Sequence, residues 1–285
     1  MTKLLGGLGL AVALAGCAGT SNSGAPAPAP ATQAASVATA PVPAAAAGVP
    51  VAPLGGAQVT ETARVPYQPA DMVFPGKGKT SSWKQFWDHN AQRRAWFAAN
   101  KEKDLNSLVF VGDSITEGWN SLLQTDFSDL SVKVVNRGIG GDTTPNLLYR
   151  LDDDILSLHP IGLVILIGTN DLGEHTPVSD VAYNLHLLRL RIRERYPNIP
   201  IVWCLVMPRK AEDNYPARIQ LLNSNIRAEA AEDPLVTVVD TYTPLALPDG
   251  TSNPIYFKPD RLHLIESGYQ VWDRALHPVL EKWHR

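Results

Sequence analysis

Three residue types that together activate a hydroxyl occur at two turns of this chain. Ser114 lies in LVFVGDSITEGW (Leu108–Trp119), where a short apolar, β-prone run stops at Gly112-Asp113-Ser114. Asp260 and His263 lie in Pro259-Asp260-Arg261-Leu262-His263, just before the last helical pattern. In a turn, an i, i+3 pair lets a carboxylate hold the imidazole Nδ1–H, which leaves Nε2 free to take a proton from a hydroxyl. A serine hydroxyl is a poor nucleophile without such a base. Each fragment also has a plainer reading. Serines at strand-to-helix turns often cap the helix, and Asp-x-x-His also describes a salt-bridged surface pair.

The elements around these turns are those of an α/β sheet. Apolar runs at Leu108–Gly112, Val132–Asn136, Gly162–Ile167, Ile199–Met207 and Leu235–Asp240 predict five strands. They are continuous rather than alternating, which predicts strands buried on both faces and hence a parallel sheet. Helical patterns fall at Trp83–Asn100, Asn146–Leu156, Val178–Tyr196, Ala217–Glu232 and Glu266–Trp283, the first with Ser81 or Ser82 as its cap. Strand and helix alternating in this way predict a three-layer, doubly wound, flavodoxin-like sandwich with a five-stranded parallel sheet. In such folds ligands bind at the carboxyl ends of the strands, where Ser114 falls. Amides that follow it can donate to an anion.

The N-terminal quarter has a different composition. Leu4–Ala15 is an apolar run after a single Lys, too short to span a bilayer, and reads as an export signal. It ends in Leu14-Ala15-Gly16-Cys17, which looks like a bacterial lipobox whose cysteine is acylated. Ala18 after the cysteine, rather than Asp, resembles outer-membrane lipoproteins. Residues 18–65 are nearly all Ala, Pro, Ser, Thr, Gly and Val, the composition of a Pro-stiffened, disordered tether. Residues 66–285 are then the single folded domain. The other cysteine, Cys204, sits in an apolar run as a structural thiol, so no intramolecular disulfide is expected. A net charge of −3 with mixed signs gives no basis for nucleic-acid binding or a polybasic membrane patch.

Glycine- or asparagine-bearing turns follow the first three strands: Gly138-Ile139-Gly140-Gly141-Asp142 after the second and Gly168-Thr169-Asn170-Asp171 after the third. Alone, the glycine pair is a turn and Asn170 an Asx turn. Asp152-Asp153-Asp154 reads as a solvated helix face, because consecutive helical residues point in different directions. Taken together with Gly112-Asp113-Ser114-Ile115-Thr116, Thr143-Thr144 and Asp260-Arg261-Leu262-His263, these turns form four ordered blocks. The chain thereby resembles the SGNH, or GDSL-type, esterases and lipases. The second block with Leu147, Leu148, Arg150 and Leu151, and the turn Met207-Pro208-Arg209, look most like the platelet-activating-factor acetylhydrolase branch.

The resemblance implies Ser114 as nucleophile, His263 as base and Asp260 as its orienting carboxylate. It implies an oxyanion hole of the Ser114 and Gly141 N–H groups and the Asn170 side-chain amide, with neither metal nor cofactor. The expected activity is hydrolysis of short-chain, acetyl O-esters on a small ester or acetylated glycan, in the bacterial envelope. The alternatives are a lysophospholipid or other lipid ester, acetyl transfer onto glycans, or a non-catalytic ligand-binding lipoprotein. Loops 172–178 and 210–216 are expected to wall the pocket. The aromatics of 83–97 are expected in packing, following a helix face. His89, His159, His175, His186, His277 and His284 are read as structural or surface residues, His175 being the one placed nearest substrate. Oligomeric state has no sequence signal.

Overall fold

The computed structural model describes residues 73–120 and 122–284. The expected signal, Cys17 and the tether lie outside them. In chain order the elements are α1 (Phe86–Asn100), β1 (Leu108–Gly112), α2 (Ser114–Glu117), α3 (Leu122–Asp126), β2 (Val134–Gly138), α4 (Thr144–Asp154) and β3 (Gly162–Leu166). There follow α5 (Thr169–Gly173), α6 (Val178–Arg195), β4 (Ile201–Cys204), α7 (Tyr215–Ala231), β5 (Val236–Val239) and α8 (Glu266–Leu280). Short 3₁₀ turns fill several connections. No described helix is long and apolar enough to cross a membrane.

The five strands form one parallel sheet in the order β2-β1-β3-β4-β5. The expected doubly wound architecture is what the chain adopts. Alternate residues of β1 serve opposite layers. Val109 and Val111 pack with Leu148 of α4, Leu185 of α6 and Leu222 of α7, whereas Leu108 and Phe110 pack with Ile115, Trp119, Leu123 and Trp272 of α8. Both faces exclude water, so every position of β1 must be apolar or glycine. The edge strand β5 is half-buried and correspondingly mixed.

Boundaries differ from the sequence expectation where tertiary pairing sets them. β2 begins two residues later than the apolar pattern and runs through Gly138, because that stretch registers against β1. The Ile199–Met207 run supplies only a four-residue strand, Ile201–Cys204, and Leu205–Met207 continue buried beyond the ladder. The first helix starts at Phe86 with Gln85 before it, so Ser81 and Ser82 do not cap it.

The Asp152–Asp154 run is not wholly solvated. Asp154 is buried against Arg94 of α1 at 2.7 Å, while Asp152 and Asp153 meet Arg191 and Arg94. The three side chains do point in different directions, as helical geometry requires.

Candidate active site

The direction in which successive strands are added reverses about β1, whose neighbours β2 and β3 lie on its two sides. This is the point at which doubly wound folds open a crevice beyond the strand ends. Gly112 of β1 pairs with Gly138 of β2 and Leu166 of β3, so three strands stop at one level. Ser114 follows two residues past that level, Gly140 and Gly141 two and three, and Asn170 four. All four line a single cavity of about 640 Å³, together with His263.

Ser114 does not cap α2. The cap is Asp113, whose Oδ1 accepts the Ile115 N–H at 2.9 Å. The Ser114 hydroxyl is therefore free for the cavity, where it meets His263 Nε2 at 2.9 Å. Two close approaches seat α2. Tyr269 of α8 donates its hydroxyl to the Ile115 carbonyl at 2.9 Å. Gly138 lets the backbone at Glu117 lie against β2 at a distance that no Cβ would permit.

The turn at 257–263 explains why an i, i+3 pair suffices. Asp260 Oδ1 accepts the Leu262 and His263 N–H groups, both at 3.0 Å, in an Asx-type turn with Arg261 at φ +58°. Its Oδ2 lies 2.7 Å from His263 Nδ1. Lys258 N–H donates to the His263 carbonyl at 2.7 Å and closes the turn. Burial would raise the Asp260 carboxyl, but hydrogen bonds from the His263 side chain and the two amides outweigh it and bring it to about 2. An ionised carboxylate only accepts, so Nδ1 carries the proton and Nε2 is the acceptor for the Ser114 hydroxyl. The Asp260–His263 contact is more than a surface pair: the same imidazole bridges Asp260 and Ser114.

The donors on the far side are tied to one another. Asn170 donates from Nδ2 to the Asp142 carbonyl at 2.9 Å, which leaves its second N–H for the cavity. Thr144 donates N–H and hydroxyl to the buried Asp171 carboxylate, linking the second turn to the third. Arg150, fully buried, pairs with Asp142 at 2.6 Å and donates to the Gly112 and Arg137 carbonyls at 3.2 and 2.8 Å. Within the described residues no hydrogen bond consumes the Ser114 or Gly141 N–H. Ser114, Gly141 and Asn170 all line the cavity beside a hydroxyl paired with an imidazole, and donors of this kind can stabilise an oxyanion formed by attack on a carbonyl.

The cavity walls correct several expectations. Ser81, Ser82, Trp83 and His89, from the segment ahead of α1 and from α1 itself, line the cavity, as do Glu174 and Leu262. Loop 210–216 does not line it, and of loop 172–178 only Glu174 does; that residue accepts the Ser82 N–H and hydroxyl, both at 2.7 Å. His89, read as structural, faces the cavity and bonds Glu117 at 2.8 Å, while His175 is not among the lining residues. Phe86 and Phe97 pack inward as expected, but Trp83 is 45% exposed at the cavity. Glu117 had a signal in the sequence, standing three positions after Ser114 on one helical face. Nothing local to Trp83 or His89 places them here. Among the described residues, Asp129, His277 and Glu281 bring acid and imidazole atoms within 4.8 Å of one another, and none lines this cavity.

Residues 110–271 match the model of the GDSL-like lipase/acylhydrolase family. The chain is 33% identical over 195 residues to platelet-activating factor acetylhydrolase IB subunit alpha1 of Pongo abelii, covering 65% of this chain and 79% of that one. A Streptococcus pneumonia structure described as a candidate platelet activating factor superposes with a TM-score of 0.62 at 26% identity, covering 68% of this chain and 94% of that chain. An acetyl xylan esterase from Geobacillus stearothermophilus shares the fold at a TM-score of 0.52 and 22% identity, with coverage of 62% and 96%. The four sequence blocks, the sheet that aligns their turns and these similarities lead to one conclusion: the chain belongs to the GDSL-like lipase/acylhydrolase family, within the SGNH hydrolases, and is an ester hydrolase.

Proposed function

We propose that the chain hydrolyses acetyl and other short O-esters, on carbohydrate substrates first, through a Ser114–His263–Asp260 triad and an acyl-enzyme. The observation that carries this reading is the unbroken hydrogen-bond relay from Ser114 Oγ through His263 to Asp260. In the first half-reaction His263 Nε2 takes the Ser114 proton as Oγ attacks the ester carbonyl. The tetrahedral oxyanion is met by the Ser114 and Gly141 N–H groups and the Asn170 amide. His263 then returns the proton to the leaving oxygen, the ester C–O bond breaks, and the alcohol departs. In the second half-reaction water gives a proton to His263 and attacks the acyl carbon, and Ser114 leaves with that proton. Asp260 remains ionised and orients the imidazole throughout.

The acetyl preference is supported by the similarity to the acetylhydrolase subunits. The carbohydrate preference is supported by the cavity wall: an exposed indole at Trp83 beside the polar side chains of Ser81, Ser82, Asn120 and Glu174 suits a leaving group with an apolar face and many hydroxyls. Leu262 and Trp83 offer apolar surface to a lipid ester, which is the second reading. Acylation of Cys17, and with it attachment to the periplasmic face of the outer membrane, is a further part of the proposal and rests on sequence alone.

The test compares native protein with Ser114→Ala on p-nitrophenyl esters from acetyl to palmitoyl, and on acetylated xylan and sugars. Acetate release from the glycans, lost in Ser114→Ala, supports the proposal. Peak rates on long chains move the substrate to lipids, and acetylation of a sugar acceptor exceeding hydrolysis makes the enzyme a transferase. Cys17→Ala in the full chain is expected in the soluble fraction; membrane retention of that variant would defeat the anchoring proposal.

A further inference from the structure

Glu117 stands one helical turn beyond Ser114, and both of its carboxylate oxygens are engaged. Oε2 accepts the Gly140 N–H at 2.6 Å and faces His89 Nε2 at 2.8 Å, and Oε1 faces Arg93 Nε at 3.2 Å. Arg93 also donates to the Gly138 carbonyl, from Nη2 at 3.0 Å and Nε at 3.3 Å. The turn after β2 is thus held at two points, its Gly138 C=O by Arg93 and its Gly140 N–H by Glu117.

The other flank of the turn is closed by packing. Gly141 has φ +82°, and a Cβ there would lie 2.9 Å from Phe86, 3.1 Å from the Ser81 hydroxyl and 3.2 Å from Trp83. Both His89 and Arg93 belong to α1, which precedes the family-matched residues 110–271.

Two consecutive glycines need such restraint. Glycine visits more backbone states than any other residue, so an amide it carries is not aimed by its own φ and ψ preferences. A donor stabilises a developing oxyanion only if it is already oriented, since reorienting it during the reaction would cancel much of the gain. Pinning the Gly140 N–H limits the conformations of Gly140 and hence the direction of the next N–H, that of Gly141.

We propose that Glu117 is a positioning residue for ester hydrolysis: held by His89 and Arg93, its carboxylate fixes the Gly140–Gly141 turn so that the Gly141 N–H meets the oxyanion. The inference rests on the serine-esterase reading above. It assigns α1 a part in the chemistry that no residue of α1 performs by contact with the reacting atoms.

The experiment measures kcat and KM on p-nitrophenyl acetate, with melting temperature, for the native full chain and Glu117→Ala, Glu117→Gln, Glu117→Asp and Ser114→Ala. Loss of one aligned donor typically costs about 10²–10³ in kcat, so a misaligned one is expected to cost about 10- to 100-fold in Glu117→Ala, with KM within about threefold. Glu117→Gln keeps an acceptor at the same reach and is expected to recover kcat to within about threefold of native. Glu117→Asp keeps the charge but not the reach and is expected to fall with Ala, with less risk to folding. A trifluoromethyl ketone, whose serine adduct carries the oxyanion, should weaken in parallel with kcat, while inhibition by acetate stays unchanged.

Native kcat in folded Glu117→Ala or Glu117→Asp overturns the proposal, as does a loss expressed in KM alone. So does a Gln variant no better than Ala. Hydrolysis that survives Ser114→Ala overturns the esterase reading and this inference together. An inactive Ser114→Ala beside a fully active Glu117→Ala overturns this inference alone.

Discussion

Ser114 and His263 stand 149 positions apart in the chain, yet Oγ lies 2.9 Å from Nε2. The sheet delivers one from the end of β1, and a turn ahead of α8 delivers the other. In the proposed mechanism neither segment carries the reaction without the other. Replacing Ser114 with Ala should reduce kcat on p-nitrophenyl acetate by about 10⁴-fold or more, while a folded relay lacking its carboxylate, Asp260→Asn, should lose about 10²- to 10⁴-fold with KM nearly unchanged. A kcat for Asp260→Asn within a few-fold of native would show that the carboxylate does not orient His263.

The proposed oxyanion hole has a side-chain member and a backbone member that can be tested separately. Asn170→Ala removes a neutral donor and should lower kcat by about 10²- to 10³-fold. Gly141→Ala adds a methyl where the backbone is left-handed and Phe86 is 2.9 Å away, so the turn must shift and kcat should fall as well. Steady-state kinetics on the acetyl ester decide both; unaltered kcat in Asn170→Ala would remove that side chain from the mechanism.

Arg150 is the tie between the first two site turns, buried completely against Asp142 and two strand-end carbonyls. Truncation to Ala leaves a carboxylate buried without its cation. Breaking such a pair costs about 3–5 kcal/mol, which in a domain of this size corresponds to a fall of about 6–20 °C in melting temperature. Calorimetry or circular dichroism would read it. A change of only one or two degrees would mean that the pair contributes little to the fold.

Stability should decline as pH rises through the mildly acidic range. Asp113 is wholly buried, and burial, only partly offset by the Ile115 amide, pushes its carboxyl up to about 7, with Asp142 and Asp171 adding to the effect. Asp171, also buried, is pushed up to about 6 against the Thr144 hydrogen bonds. In the unfolded chain these groups titrate near the ordinary value of about 3.9. Between about pH 4 and pH 7 the folded state therefore keeps protons that the unfolded state has lost, and unfolding becomes easier as pH rises across that window. Asp113→Asn retains the acceptor for Ile115 and removes one of the titrations. Its melting temperature should vary less between pH 4 and pH 7 than that of the native chain. A native melting temperature that climbs with pH over this range would contradict the assignment.

How much of this was legible beforehand depended on whether the determining forces were local. The five strands could be read because a sheet covered on both faces requires unbroken apolar runs, and Val109 and Phe110 serve opposite layers from adjacent positions. The four site blocks could be read because each is a short turn with its own chemistry: a strand that stops at Gly112, a glycine pair, an Asn and an Asp-x-x-His. Whether Ser114 capped its helix or faced a cavity was not settled by spacing. It was settled by Asp113 taking the cap, a competition between two adjacent side chains for one amide.

The walls of the cavity were decided only in three dimensions. Trp83 and His89 come from a segment whose aromatic spacing is that of an ordinary packing helix. What separates the exposed Trp83 from the buried Phe86 is where α1 and its leading turn settle against the Gly140–Gly141 turn and Glu117. Likewise the strand lengths at β2 and β4 follow from register with their neighbours, not from hydrophobicity. By itself the sequence determined the fold class, the family and the candidate site turns, because these depend on residue type and short-range order. The tertiary structure alone decided which side chains surround them, because that depends on contacts between segments far apart in the chain, whose partners leave no periodic trace in either one.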